Sequence, residues 1–312
     1  KADPGRFLCE ACDKLWKGRI DLPLEATMKN YLVFDAGGTF TKYALMDENA
    51  VILEKDKVPT PSYLDSTKED YYKVLDEIVN KNKSTISGIA VSMPGMLDSQ
   101  KGYCMTAGYL SYLCGTPVAD ELSLRYGLPV TVENDGKCAA LAEYWKGSLK
   151  DCTNGAVVVL GSGVAGGIIL NGQLYRGKRF TAGEYSFICT QQEKFHTPEG
   201  FWGMQGGANG LYHFVAKHTG KDWTEYDGLK VFALANEGDP KVLKGLKEYT
   251  DSLALQIYNL NILLDLDIIA VGGGISQQPL LLKYLKTSVD EIAGSNPLLE
   301  ISPYIPKPNI TN

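Results

Sequence analysis

YLVFDAGGTFTK, residues 31–42, is the stretch from which the rest of the chain is read. Tyr31–Phe34 is an apolar and aromatic run of the kind that forms a buried strand. It delivers Asp35 into Gly37-Gly38-Thr39, and Lys42 comes next on a returning strand. Glycines in so tight a turn let backbone N–H groups approach an anion that a Cβ would hold off, and the Thr39 hydroxyl adds a donor. A carboxylate here repels phosphate, so Asp35 reads as a holder of Mg2+ or of its water shell. Taken alone, the same letters also describe a β-hairpin whose turn contains Gly-Gly.

The 312 residues are enough for two domains sharing a cleft. A net charge of −6 with no lysine or arginine run argues against a nucleic-acid partner, so an anionic nucleotide has to be met by glycine amides and metal. No apolar stretch reaches the length of a membrane span, and no signal-peptide pattern is present. The seven cysteines are odd in number and scattered, which reads as reduced thiols of a cytoplasmic protein. Cys9 and Cys12 form a C-x-x-C with no second pair beside it, and His196, His213 and His218 lie far off. A zinc site is therefore not expected there.

Residues 1–27 show no periodicity and are set aside as an extension of unassigned status; Met28-Lys29-Asn30 resembles a natural start. From there the pattern predicts strands at 31–34, around Lys42 and at 51–58, then a helix over 66–81 with Tyr71, Tyr72, Leu75, Ile78 and Val79 on its apolar face. A strand at 88–92 ends at Pro94-Gly95, and a helix over 118–126 stops at Gly127. Strand 130–133 runs into Asn134-Asp135 and a helix over 139–145. A second block opens with strand 155–160, a glycine-rich turn over 161–167, and strand 168–170 turning at Asn171-Gly172. Helices near 206–218, 227–236 and 240–264 come after it, then strand 267–271, Gly272-Gly273-Gly274, helix 279–292 and strand 299–303. Both blocks open alike, as strand, glycine turn, strand. That predicts two similar α/β lobes, 28–134 and 135–312, with no residue-level repeat.

Gly161-Ser162-Gly163-Val164-Ala165-Gly166 is literally G-x-G-x-x-G after a strand. A dinucleotide-binding unit needs a helix to start at these glycines. Residues 168–175, IILNGQLY, instead read as strand, tight turn, strand, and the dinucleotide reading is rejected. Two amide-lined turns between hairpin strands indicate a nucleotide gripped between lobes.

Taken together, DAGGTFTK (35–42), SMPG (92–95), ENDGKCAALAE (133–143), LGSGVAGGIILNGQLYRG (160–177), AGE (182–184) and AVGGG (270–274) resemble the ROK family of sugar kinases over about Met28 to Pro308. The resemblance implies an actin/hexokinase-like α/β ATPase fold, two lobes around a nucleotide–sugar cleft. Asp35, Gly37, Gly38, Thr39 and Lys42 would form the first phosphate turn, and Gly161, Ser162 and Gly163 the second. Gly272, Gly273 and Gly274 would lie against adenosine. Asn134 and Asp135 match the family's sugar-binding and catalytic pair, Glu184 a sugar-hydroxyl ligand, and Pro94-Gly95 would line the sugar side. ATP and Mg2+ are the implied cofactors, and a homodimer is implied. Read without that resemblance, Asn134-Asp135 is equally a helix N-cap. With it, a carboxylate at a strand's end and a helix's start suits a proton acceptor, because the helix dipole favours the ionised form.

Two departures narrow the expectation. Phe187 stands where many members carry a histidine a few residues after the glutamate, and 196–213 (HTPEGFWGMQGGANGLYH) contains no cysteine, so no structural zinc is expected. Zinc-free members resembling β-glucoside kinases and N-acetylmannosamine kinases then come nearer than ordinary glucokinases, and Phe201, Trp202, Tyr109 and Tyr112 are candidates to stack on a sugar. The chain also ends at Asn312, where members usually continue into another helix. The alternatives are a sugar-sensing regulator and an inactive sugar-binding relative. The first would need a DNA-binding domain, for which the mixed-charge residues 1–27 are too few; the intact Asp35, Asp135 and glycine turns argue against the second.

Overall fold

The computed structural model describes residues 28–295 and the backbone of residues 310–311. The Cys9–Cys12 pair and the expected strand 299–303 lie outside the described residues.

Strand β1 (Asn30–Ala36) pairs antiparallel with β2 (Phe40–Asp47), which pairs antiparallel with β3 (Ile52–Pro59). Strand β4 (Ile86–Met93) lies parallel to β1 and leads into a short ribbon, β5 (Leu97–Asp98) against β6 (Tyr103–Cys104). Strand β7 (Val130–Asn134) closes the sheet beside β4 in the order β3-β2-β1-β4-β7. Alternation decides which face is buried: Leu32, Phe34 and Ala36 point into the first core. Helix α1 (Lys68–Asn82) meets them with the five predicted apolar residues, all buried, and starts in a reciprocal cap between Thr67 and Asp70. Helix α2 (Val118–Tyr126) ends where Gly127 turns left-handed at φ +66°.

The second sheet repeats this plan. Strand β8 (Gly155–Leu160) pairs antiparallel with β9 (Val164–Leu170), which pairs antiparallel with β10 (Gln173–Leu174). Strand β11 (Ile268–Gly272) runs parallel to β8, and β12 (Ile310–Thr311) parallel to β11, in the order β10-β9-β8-β11-β12. The internal likeness is thus one of topology. Strand β8 is apolar throughout because both of its faces are covered. Val157, with Ile169 and Ala270, packs toward helix α3 (Asp135–Lys146). Ala156, Val158 and Leu160 face the core built by α4 (Ala208–Thr219), α5 (Gly228–Asn236), α6 (Pro240–Leu264) and α7 (Pro279–Ser295).

Two element starts fall four residues from the sequence reading, for one reason. Helix α3 begins at Asp135 rather than 139, and β9 at Val164 rather than 168. Gly136, Gly166 and Gly167 look like breakers in sequence, but in the fold they allow contact. A Cβ on Gly136 would stand 2.4 Å from the Gly166 nitrogen, and one on Gly167 would stand 2.6 Å from the Ala140 Cβ. The glycines let the helix lie directly on the strand. No helix among the described residues is long and apolar enough to cross a membrane.

Candidate active site

The first turn is both a hairpin and an open amide loop. Register across β1 and β2 sets Asp35 opposite Lys42, with Lys42 Nζ 3.4 Å from Asp35 Oδ2. Register across β1 and β4 brings Ser92, whose Oγ lies 3.3 Å from Asp35 Oδ1. Between the strands, Gly37 N–H donates to Phe40 O at 3.1 Å. The Tyr109 ring covers Gly38 so closely that a Cβ there would stand 3.0 Å from it. Thr60 braces the loop from outside: its hydroxyl donates to Gly37 O at 2.8 Å, its N–H to Thr39 O at 3.0 Å, and its Oγ1 lies 2.9 Å from the buried Thr41 hydroxyl.

The second turn, Gly161-Ser162-Gly163, joins β8 to β9 and is tied to the head of α4. Ala208 N–H donates to Gly161 O at 2.8 Å, and a Cβ on Gly207 would collide with Gly163 O. Gly273, at φ +101°, backs onto the Leu160 carbonyl, so the 272–274 loop and the second turn are neighbours. Gly272 and Gly274 face open space. A cleft of about 480 Å³ opens there, lined by Gly161, Tyr212, Gly228, Phe232 and Gly274 among others. Its apolar walls and bare glycines suit a flat heterocycle.

The head of α3 brings together the residues expected on the sugar side. Asn134 Oδ1 caps the helix by accepting from Lys137 N–H at 3.0 Å. Its side-chain amide donates to Gly95 O and to Asp135 Oδ1, both at 3.0 Å, and Gly136 N–H donates to the same Oδ1 at 2.7 Å. Gly95, at φ +101°, is pressed against Thr106 O so that no side chain fits. Gly183, at φ +82°, stacks on Gly166 and Gly167 and brings Glu184 to the same end of α3, where Lys137 Nζ meets its Oε1 at 2.6 Å.

Burial pushes the Asp135 carboxyl above the ordinary aspartate range, and the Asp35 charge pushes it further. The hydrogen bonds from Gly136 and Asn134 and the Lys137 charge pull the other way without prevailing. The net shift is therefore opposite to that expected from the helix dipole: at this helix end, desolvation outweighs it. Glu184 is raised likewise, first by burial, then by Asp135 and Glu133, against Lys137. The Asp35 charge thus reaches Asp135, and the charges of Asp135 and Glu133 reach Glu184.

Sequence reasoning missed Thr60, Ser92, Glu133, Lys137 and Arg176. Arg176 Nε holds Glu133 Oε2 at 2.7 Å, and Glu133 Oε1 accepts from Asn134 N–H. The signal for Lys137 was present: a cation in a helix's first turn opposes the macrodipole and so calls for a nearby acid. Of the proposed stacking aromatics, Trp202 is fully buried against Tyr185, and the Tyr112 hydroxyl donates to Pro61 O. Trp202 presents no free face because it is spent on packing, and Tyr112 stands half-buried beside Tyr71. Phe187 and Phe201 line a cavity of about 450 Å³ with Ser186 and Met204. Among the described residues no group of three or more His, Cys, Asp or Glu is disposed to hold a metal ion. His196 lies against Phe195.

Three comparisons bear on this cleft. The family model described as ROK matches residues 31–303. A β-glucoside kinase of Klebsiella pneumoniae is 30% identical over 81% of this chain and 84% of its own length. An N-acetyl-D-glucosamine kinase of Vibrio atlanticus is 29% identical over 79% and 84%. The crystal structure of a ROK family protein from Streptococcus pneumoniae in complex with sucrose superposes with a TM-score of 0.78 and 28% identity, over 90% of this chain and 91% of that one.

Proposed function

The chain belongs to the ROK family, and from that membership we infer an ATP-dependent carbohydrate kinase of the actin/hexokinase-like α/β fold that phosphorylates a hexose or hexose derivative. One observation carries the assignment of its base: the Asp135 carboxyl is half-buried at the head of α3, within reach of the Asp35 charge.

In this reading the first turn, Gly37-Gly38-Thr39, offers the amides of Gly38 and Thr39, the Gly37 N–H being spent within the hairpin, and Gly161, Ser162 and Gly163 offer theirs, so that the phosphates are taken from two sides. Gly272–Gly274 and the cleft beside Tyr212 take the nucleoside. Asn134 and Glu184 orient the acceptor sugar by hydrogen bonds, and the Pro94-Gly95 turn walls it. Asp135 accepts the proton of the attacking hydroxyl as its oxygen forms the bond to the γ-phosphorus and the bond to the departing ADP breaks. The raised Asp135 carboxyl makes a stronger base than a solvated aspartate. Asp35 and the Ser92 hydroxyl offer hard oxygen atoms at the mouth of the first turn, which fits Mg2+ that keeps most of its waters. Mg2+ bound with ATP supplies neutralisation of charge building on the phosphates.

Among acceptors, β-glucosides come first. The cavity lined by Phe187 and Phe201 begins two residues beyond Glu184, and offers apolar walls to an aglycone. A coupled ADP-release assay with aryl β-glucosides, cellobiose, glucose, N-acetylglucosamine and N-acetylmannosamine tests both levels. Turnover with at least one sugar is expected, and β-glucosides are expected to give the highest kcat/KM. Flat ADP release with every sugar would remove the kinase reading.

A further inference from the structure

Lys137 is 1% exposed, in the first turn of a helix whose dipole disfavours a cation there. A buried ammonium persists only where a carboxylate repays its desolvation. Here that carboxylate belongs to Glu184, not to an acid on the same helix. The groups facing the pair are unevenly provided for. Glu133 on β7 is held by Arg176 and by Asn134 N–H. Asp135 has the Gly136 and Asn134 donors, and Asp35 on β1 has Lys42 and Ser92. Cys138 is next along α3, its thiol pushed up to about 12 by burial. Strand β9 contributes uncharged Gly166 and Gly167, and the Tyr185 hydroxyl is turned to Gly167 O.

We propose that Lys137 is a positioning residue for the phosphoryl transfer, acting through Glu184: its buried ammonium keeps that carboxylate ionised and in one orientation, so Glu184 meets the acceptor sugar purely as a hydrogen-bond acceptor. Without the cation, Glu184 faces Asp135 and Glu133 in a poorly hydrated pocket and takes up a proton. A protonated carboxyl donates where the sugar hydroxyl also donates, and the match is lost. The inference rests on the kinase reading above and adds a role to it: selection of the acceptor by a charge that need not touch it.

The test is the pH dependence of kcat/KM for the sugar in the full chain, for wild type, K137M, K137Q, E184Q and K137M/E184Q. Wild-type turnover comes first, since its absence with every sugar removes the kinase reading and this inference with it. In K137M and K137Q the sugar KM is expected to rise roughly tenfold or more, the ATP KM to stay within about twofold, and the acidic limb to move up by about one pH unit. The double variant is expected to be no weaker than E184Q, because both changes disable one acceptor. An active wild type whose K137M and K137Q variants keep the wild-type limb overturns the inference and leaves the kinase reading standing. So does a double variant whose losses add. Should K137M and K137Q not fold, K137R decides: a retained wild-type limb supports a role of charge, and a displaced one overturns it.

Discussion

Gly136 backs directly onto Gly166: a Cβ on the first would stand 2.4 Å from the backbone nitrogen of the second. The residue after the proposed base is thereby fixed by backbone contact alone. Its N–H, aimed by that contact, is the shortest hydrogen bond to Asp135. G136A should therefore separate α3 from β9, at a cost of about 1–3 kcal/mol, and lower kcat with it. Urea unfolding alongside steady-state kinetics checks this. Wild-type stability in G136A would mean the two elements can part freely, and the account of how Asp135 is placed would fail.

Asp135 ties activity to instability with a definite sign. Its carboxyl is raised in the folded state above its unfolded value, chiefly by burial. Such a group contributes stability that is fully present below the unfolded pKa and lost as pH rises through the folded one. At neutral pH the ionised site thus costs the fold something. D135N removes the charge and keeps an oxygen for Gly136 N–H, so it should melt above wild type at pH 8, with the gap closing toward pH 4. The same variant should lose roughly 10²–10⁴ in kcat with ATP affinity nearly kept. Calorimetry at several pH values gives the first result, and a coupled assay the second. A D135N chain that turns over normally removes Asp135 from the role of base.

How far the fold is legible in the chain depends on which forces are local. The strands of 31–34 and 155–160, the α1 face and the Gly127 stop depend on short periods and one backbone conformation, and each is found within a few residues of its expected place. The antiparallel pairs β1–β2 and β8–β9 are legible too, because each hairpin is closed by its own turn. The failures are long-range. Gly166 and Gly167 look like part of a flexible turn, since nothing in their neighbours announces a helix lying on them. Trp202 looks like a sugar platform because exposure is decided by α4 and Tyr185, not by the loop that carries it. The Asp135 shift is expected in the wrong direction because the helix end is visible in sequence and the burial is not. The Lys137–Glu184 pair spans 47 positions, and only an unfavourable charge in a helix's first turn hints at it.

Gly272 and Gly274 separate binding from folding. Neither would place a Cβ within 4 Å of another atom, and neither needs a left-handed φ. Whatever requires glycine at 274 is consequently outside the bare fold, and Gly274 lines the cleft assigned to the nucleoside. G274A should melt within a degree or so of wild type, yet raise the ATP KM by about tenfold, equivalent to about 1.4 kcal/mol of binding. Thermal unfolding with and without ADP makes the distinction sharp: the variant should lose most of the ligand-induced rise in Tm. An unchanged ADP response would move the nucleoside elsewhere.

Thr60 is the residue on which the turn proposed to take phosphate leans, though it lies 21 positions beyond Thr39 in sequence. It satisfies Gly37 O with its hydroxyl and Thr39 O with its N–H, and shares a hydrogen bond with Thr41. These contacts act on the carbonyl side of the loop, so they hold its amides toward the opposite side, where a phosphate would come. T60V keeps the shape and the N–H bond but deletes the hydroxyl, leaving Thr41, fully buried, without that partner. The cost to stability should be about 1 kcal/mol. If the brace matters for catalysis, the loss in kcat/KM for ATP should exceed what stability alone explains, by roughly tenfold, the worth of one well-aimed interaction. T60S, which restores the hydroxyl, should recover most of it. Equal activity in T60V and T60S, measured below the onset of unfolding for both, would mean the Gly37–Thr39 amides are held by the hairpin alone.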